Sequence, residues 1–157
     1  MREIPRGAIA VRKNRAMIDA LTPADLRILR SAASTSADGA TVALVFATTD
    51  FAGLLLNWAL TARRAGVRWF VLVAMDDALR RQLAYTWSDA PVLLLPRVAS
   101  GAVTINKINV IGERQRFGAS VLAAGLSVVH SDADALWRAD PTPLISCLLY
   151  TSPSPRD

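Results

Sequence analysis

The stretch Thr41-Val-Ala-Leu-Val-Phe-Ala47 is a continuous apolar run of strand length. A strand that is apolar at every position is typical of a sheet covered on both faces. The next segment opens on Thr48-Thr49-Asp50, which can cap a helix, and closes on Arg63-Arg64-Ala65-Gly66, with cations in the last turn and glycine just beyond it. Between these ends an apolar stripe recurs at helical spacing, made of Phe51, Leu54, Leu55, Trp58, Ala59 and Ala62.

The same alternation of strand and helix continues along the chain. Apolar strands are predicted at residues 68–74, 91–95 and 126–130, with a short Asp-capped helix at 77–84 and a longer helix at 103–124 between them. Strands that alternate with helices are connected by right-handed crossovers and form a parallel sheet. The predicted fold class is therefore α/β, of doubly wound type, with a mostly parallel sheet.

The chain divides into three predicted segments. Residues 1–40 form an N-terminal helical and linker segment, in which Thr22 and Pro23 start a short helix that ends before Ser31. Residues 41–146 form the α/β domain. Residues 147–157 resemble a translated sequencing adapter and are interpreted as a non-native tail, which would leave the domain incomplete at its C-terminal end.

Composition excludes several classes of function. Outside the tail there is no cysteine and His130 is the only histidine, so Cys-based zinc sites, Cys nucleophiles and His-based triads have too few residues. The formal net charge is +5, but the arginines are spread along the chain without interleaved aromatic residues, so nucleic-acid binding is not predicted. No apolar run approaches the roughly 18 residues that cross a bilayer, so no membrane segment is predicted. No glycine-rich phosphate loop follows any predicted strand, which argues against dinucleotide oxidoreductases and P-loop enzymes.

Two carboxylates lie one residue apart directly after the last predicted strand, in the sequence His130-Ser-Asp-Ala-Asp134. Open α/β sheets bind ligands at the carboxyl ends of their strands. In an extended segment residues i and i+2 point to the same side, so Asp132 and Asp134 can converge on one cation. A divalent metal there, Mg²⁺ or Mn²⁺, would offset the charge of a diphosphate and act as the Lewis acid for its departure. We therefore expect a nucleotide-sugar site.

Two other interpretations remain open. Asp-x-Asp also occurs in surface turns, so the chain could be a non-catalytic α/β binding module whose carboxylates only cap a turn. A Mg²⁺-dependent phosphohydrolase or phosphotransferase would use the same carboxylates and a nucleophilic aspartate at an early strand end, where Asp50 is the candidate. On a strand His130 would alternate away from both carboxylates, so we predict that it packs or donates a hydrogen bond rather than binding a ligand.

The run His130-Ser-Asp-Ala-Asp-Ala-Leu-Trp-Arg-Ala-Asp-Pro141 resembles the strand, Asp-x-Asp, Trp and Pro element of the nucleotide-diphospho-sugar transferase family. Upstream, Asn57-Trp58, Asp76 and Lys107 occur in the same order as that family's Asn-Trp pair, strand-end Asp and helix Lys. The resemblance implies a GT-A type fold, in which a Rossmann-like nucleotide-binding half joins an acceptor-binding half. It also implies metal-dependent transfer of a sugar from a nucleoside diphosphate donor. It identifies neither the acceptor nor a catalytic residue.

The resemblance also implies roles for individual residues. Asp132 and Asp134 would bind the metal and the diphosphate, while Thr48, Thr49 and Asp76 would lie near the nucleoside.

Two further residues are predicted to support this site. Lys107 would support the donor or the loop around the carboxylates, with a solvated helix lysine as the alternative. Trp137 belongs to the resembling element, but for Trp137 and Trp58 alike packing is favoured over stacking on a sugar.

Overall fold

The computed structural model describes residues 21–106 and 108–145. Lys107, the tail at 147–157 and the first twenty residues therefore lie outside the described residues. The elements, in chain order, are α1 Pro23–Ala33, β1 Thr41–Ala47, a 3₁₀ turn Thr49–Phe51, α2 Ala52–Arg64, β2 Phe70–Ala74, α3 Asp77–Thr86, β3 Val92–Leu94, α4 Pro96–Ala99, α5 Val110–Ala123 and β4 Ser127–Ser131.

The four strands form one sheet in the order β3-β2-β1-β4, and every neighbouring pair is parallel. The register places Val45 of β1 beside Leu72 of β2 on one side and beside Ser131 of β4 on the other. This confirms the predicted α/β class. Because β2 and β4 flank β1 on opposite sides, the direction of the strand order reverses at β1 and β4. The carboxyl ends of these two strands therefore form a topological switch point.

Helices cover both faces of this sheet. Every residue from Val42 to Ala47 is buried, which is why the whole of β1 is apolar. Successive side chains of β1 enter two separate apolar clusters, as the pleat of a strand requires. The two sets are Ala43, Val45 and Ala47, which pack with α2 and α3, and Val42, Leu44 and Phe46, which pack with α1 and α5.

The predicted α2 stripe is correct in its centre and wrong at its start. Leu55, Trp58, Ala59 and Ala62 are fully buried, whereas Phe51 and Leu54 are 54% and 44% exposed. The predicted cap is also wrong, because no side chain of the 48–50 segment caps α2. The helix ends as predicted in cations followed by a glycine, Gly66, with a φ of 86°.

The other boundaries differ from the predictions mainly at the ends of elements. The strand bounds agree within two residues, and the short helix after β2 is capped by Asp76 and continues to Thr86. The predicted helix at 103–124 begins only at Val110. Asn106 Oδ1 accepts from the backbone N–H groups of Ile108 and Asn109, and these local bonds hold the preceding segment out of the helix.

α1 is part of the core, although the sequence analysis placed it in a separate N-terminal segment. Thr22 starts it, as the Thr-Pro signal predicts, and forms a capping box with Asp25. The helix ends at Ala33 instead of before Ser31 because its last turns are buried: Leu29 and Ala33 are fully inaccessible to solvent. Among the described residues, no helix has the length and apolar character needed to cross a bilayer.

We expect Leu29→Ala to lower the free energy of unfolding by about 2–5 kcal/mol, because it leaves a cavity between α1 and the sheet. Urea denaturation measures the effect. The adjacent exposed residue supplies a matched control: Arg30→Ala is expected to change stability by no more than about 0.5 kcal/mol. Equal stabilities of the two variants would show that α1 does not belong to the core.

Candidate functional site

The carboxyl ends of β1 and β4 border a cavity of about 260 Å³ at the switch point. Residues from both strand ends and from the two flanking helices line it. They include Phe46, Thr48, Phe51, Arg114, Asp132 and Asp134.

A second cavity of about 530 Å³ adjoins the first. The two share Thr48, Phe51, Met75 and Val110, so they form one depression along the carboxyl edge of the sheet. We call the two together the edge cleft. Its second part extends past the end of β2 to the segment that precedes α5.

Asp132 and Asp134 lie in a turn, so the expected extended conformation is wrong. The backbone N–H of Ala135 donates to the carbonyl oxygen of Asp132 across 3.1 Å and closes the turn. Ala133 and Ala135 are half-buried against the core, whereas both aspartates are exposed. Because burial still alternates along the turn, the two carboxylates line the same cavity. They therefore lie on the same side of the chain, as the spacing predicted.

Trp58 and Trp137 fix this turn on its core side. The Nε1–H of Trp58 donates to Oγ of Ser131 at 2.9 Å, and that hydroxyl donates to the carbonyl of Asp132 at 3.3 Å. Trp137 packs edge-on against Trp58, with 5.0 Å between ring centroids, and at 5.7 Å against Trp69. The rings of Trp58 and Trp137 therefore pack and position, in agreement with the interpretation that favoured packing over sugar stacking.

Arg114 of α5 is a cleft residue that sequence reasoning missed. Its Nη2 donates to Oδ1 of Asp132 at 2.8 Å, and its guanidinium carbon lies 5.4 Å from the centre of the Phe46 ring. In the sequence it is one of the arginines that are spread along the chain without a recognisable pattern. Only the packing of α5 beside β4 brings it to the carboxylates, so no sequence signal could have singled it out.

His130 has a packing role, as predicted. Its ring stacks on Phe46 with 5.4 Å between centroids and 12° between planes. Its Nε2 edge faces Gly118, where a Cβ would sit 2.7 Å from Nε2, so glycine is required for α5 to approach β4. Burial lowers the pKa of His130, and the charge of Arg114 lowers it further, while Asp132 acts in the opposite direction.

Asp76 joins the end of β1 to the start of α3. Its Oδ2 accepts from the backbone N–H of Thr49 at 2.7 Å, and its Oδ1 accepts from Thr49 Oγ1 at 2.5 Å and from the Leu79 N–H at 2.7 Å. Burial opposes the charged form, but the hydrogen bonds outweigh burial and lower the pKa of Asp76. The structure thus brings Thr49 and Asp76 together at the cleft edge and satisfies them with each other, while Thr48 lines both parts of the cleft.

The donor set of the turn fits a cation that shares its ligands with a substrate. Among the described residues, no three His, Cys, Asp or Glu side chains are grouped closely enough to hold a metal by themselves. Mg²⁺, however, keeps several waters and is usually held by one or two carboxylates together with phosphate oxygens. Asp132 and Asp134, exposed at one cavity, match that requirement. Lys107, predicted to support this region, lies outside the described residues.

Comparison with protein families identifies a match over residues 65–154 to the model of nucleotide-diphospho-sugar transferase. The chain belongs to this family. The matched range starts just after α2 and includes β2, α5, β4 and the turn with both carboxylates. Searches of curated proteins and of solved structures gave no match. Membership of the nucleotide-diphospho-sugar transferase family implies a transferase that takes its group from a nucleotide-sugar donor, and it does not favour the phosphohydrolase interpretation.

We expect Asp76→Asn to lower the free energy of unfolding by about 1–2 kcal/mol at neutral pH, because the charged acceptor for Thr49 and Leu79 is lost. A carboxyl whose pKa is lower in the folded than in the unfolded state stabilises the fold above its ordinary value of 3.8. That contribution is lost as the pH falls through the folded-state pKa.

Urea denaturation of both proteins at a series of pH values from neutral to acid measures this dependence. The stability difference should shrink toward acid. Asp89→Asn, which removes an exposed carboxylate 3.6 Å from Arg63, serves as the control and should cost no more than about 0.5 kcal/mol. A difference between Asp76→Asn and the original chain that stays constant with pH would contradict the assignment.

Proposed function

We propose that the edge cleft binds a nucleoside diphosphate sugar and that the chain is the donor-binding part of a metal-dependent glycosyltransferase of GT-A type. One observation carries the proposal: two exposed carboxylates and an arginine line a single cavity at the switch point of a parallel sheet, in a chain of the nucleotide-diphospho-sugar transferase family. The fold and the family support it independently.

The charges in the first part of the cleft suit a metal-bound diphosphate. Asp132 and Asp134 would hold Mn²⁺ or Mg²⁺, which when bound offsets the diphosphate charge and stabilises it as a leaving group. Arg114, at the same wall, adds a positive group that can donate to phosphate oxygens. A wholly acidic site would repel the donor, whereas this mixture accepts a cation and a polyanion together.

The second part of the cleft is proposed to receive the nucleoside. Thr48 lies on the wall common to both parts, and the half-exposed Phe51 ring beside it offers an apolar surface to a base. Thr49 and Asp76 shape this wall through their mutual hydrogen bonds. Their proposed part in nucleoside binding is to hold the wall in place. Trp137 supports the carboxylate turn from the core, and Lys107 keeps its proposed supporting role.

The two alternative functions make different demands on the cleft. A phosphohydrolase would need Asp50 beside the metal carboxylates, but Asp50 lines the second part of the cleft and Asp132 the first. A binding module would leave Asp132 and Asp134 without a cation. Metal-dependent nucleotide binding therefore separates the proposed function from this last alternative.

We expect nucleoside diphosphates, tested as UDP and GDP, to raise the melting temperature of the 157-residue chain only when Mn²⁺ is present. Asp134→Asn and Asp132→Asn should each weaken this Mn²⁺-dependent binding by about tenfold or more, since each removes a charged ligand. Calorimetric titration gives the affinities.

Asp89→Asn is the matched control for these variants, because it removes an exposed carboxylate from the surface beside Arg63 and lines neither part of the cleft. It should leave the affinity unchanged. Undiminished binding in both turn variants would refute the site, and the absence of any Mn²⁺-dependent shift in the original chain would favour the non-catalytic binding module.

A further inference from the structure

Arg114 pairs with the carboxylate that the proposed function assigns to the metal. Its Nη2 lies 2.8 Å from Oδ1 of Asp132, and within the described residues Asp132 is the one acceptor of a hydrogen bond from it. A guanidinium carries five N–H donors, so this pair uses only part of the donor capacity of Arg114, whose side chain lines the cavity. A cation at Asp132 would compete with Arg114, whereas a diphosphate in the cavity could accept hydrogen bonds from it.

We propose that Arg114 is an exchangeable counter-ion, bound to Asp132 before the donor enters and transferred to the diphosphate when the metal and the nucleotide bind together. This rests on the proposed function and adds to it a residue that couples the two ligands. A metal ion alone must compete with a guanidinium for Asp132 and is repelled by its charge. A diphosphate removes that conflict, because its oxygens accept the guanidinium that Asp132 releases.

The ion pair is suited to exchange because one of its partners is open to solvent. The side chain of Asp132 is 68% exposed and that of Arg114 is 26% exposed, so water reaches the carboxylate and screens the attraction. The guanidinium has a second contact that a small displacement preserves, since it lies over the face of Phe46. A side chain held by a ring face on one side and a solvent-screened ion pair on the other can change its polar partner without leaving the cleft.

The helix that carries Arg114 is fixed on both sides of it. The preceding residue, Glu113, is nearly buried and accepts a 2.6 Å hydrogen bond from Arg97. One turn later Phe117 is buried and packs edge-on against Phe46, with 5.9 Å between centroids. Since these contacts anchor the backbone of α5, exchange requires movement of the Arg114 side chain only.

The exchange makes the binding of metal and nucleotide cooperative, and cooperative binding is reciprocal. Removing the guanidinium should change the affinities for metal and for nucleotide in opposite directions. The site should bind a metal ion by itself more readily, because its competitor is gone. It should bind the nucleotide less well, because a donor to the diphosphate is gone. Loss of structure would weaken both affinities, so opposite signs distinguish exchange from a structural role.

The test compares the 157-residue chain with Arg114→Ala, Arg114→Lys and, as a charge-matched control, Arg30→Ala on the exposed side of α1. Free Mn²⁺ is followed by electron paramagnetic resonance without nucleotide, and binding of UDP and GDP is measured calorimetrically at saturating Mn²⁺. For Arg114→Ala we expect the Kd of Mn²⁺ to decrease about two- to fivefold. We expect the Kd of the nucleotide to increase about tenfold.

Arg114→Lys keeps the charge but loses the planar fork, so its Mn²⁺ affinity should stay near that of the original chain. Its nucleotide affinity should lie between those of the original chain and of Arg114→Ala. Arg30→Ala should change neither affinity. If Arg114→Ala does not fold, Arg114→Gln replaces it with the same expectations.

The possible failures are distinguishable. If the original chain binds Mn²⁺ and nucleotide in a manner that depends on Asp134, yet loss of Arg114 weakens both affinities or changes neither, the exchange is overturned and the proposed function stands. If the original chain binds no Mn²⁺ with nucleotide, the proposed function fails and the exchange fails with it.

Discussion

The hydrogen bond from Trp58 Nε1 to Ser131 Oγ joins two residues that are 73 positions apart in the chain. Trp58 belongs to the helix that follows β1, and Ser131 is the last residue of β4, so this bond fixes the end of one strand against the crossover of its neighbour. The Trp58 ring and Ser131 are both buried, which makes a missing partner for either polar group costly. Because Ser131 immediately precedes the carboxylates, their position at the sheet edge depends on this joint.

Around that joint the strand order creates the cleft. α2 and α3 cover one face of the sheet and α1 and α5 the other, and at the carboxyl ends of β1 and β4 a cavity lies between Thr48 and the Asp132 turn. Apolar packing needs this arrangement to bury both faces of β1. The cleft is therefore a by-product of covering the sheet, and its chemistry comes from the few polar side chains that the strand ends and α5 place around it.

Hydrogen bonding separates structural carboxylates from those available for binding. Asp76 accepts from Thr49 twice and from Leu79, so its oxygens are committed to holding two loops together. Asp132 gives one oxygen to an arginine, and Asp134 is exposed in the same turn. Acids that are saturated by neighbours stabilise a fold, whereas acids with free oxygens at a cavity can accept a cation. This contrast, more than the motif itself, is the reason for proposing Asp132 and Asp134 as cation ligands.

The sequence by itself determined the bounds of β1, the capped helix after β2, the α/β class and the strand-end position of Asp132 and Asp134, because each depends on local patterns of apolar and capping residues. Tertiary structure decided what local patterns do not encode. α1 joined the core through burial of Leu29, the Asn106 side chain delayed the start of α5, and the order of the strands followed from non-local pairing. Arg114 reached Asp132, 18 positions away, only because α5 packs beside β4, and that contact is a property of the packed helix rather than of any residue pattern.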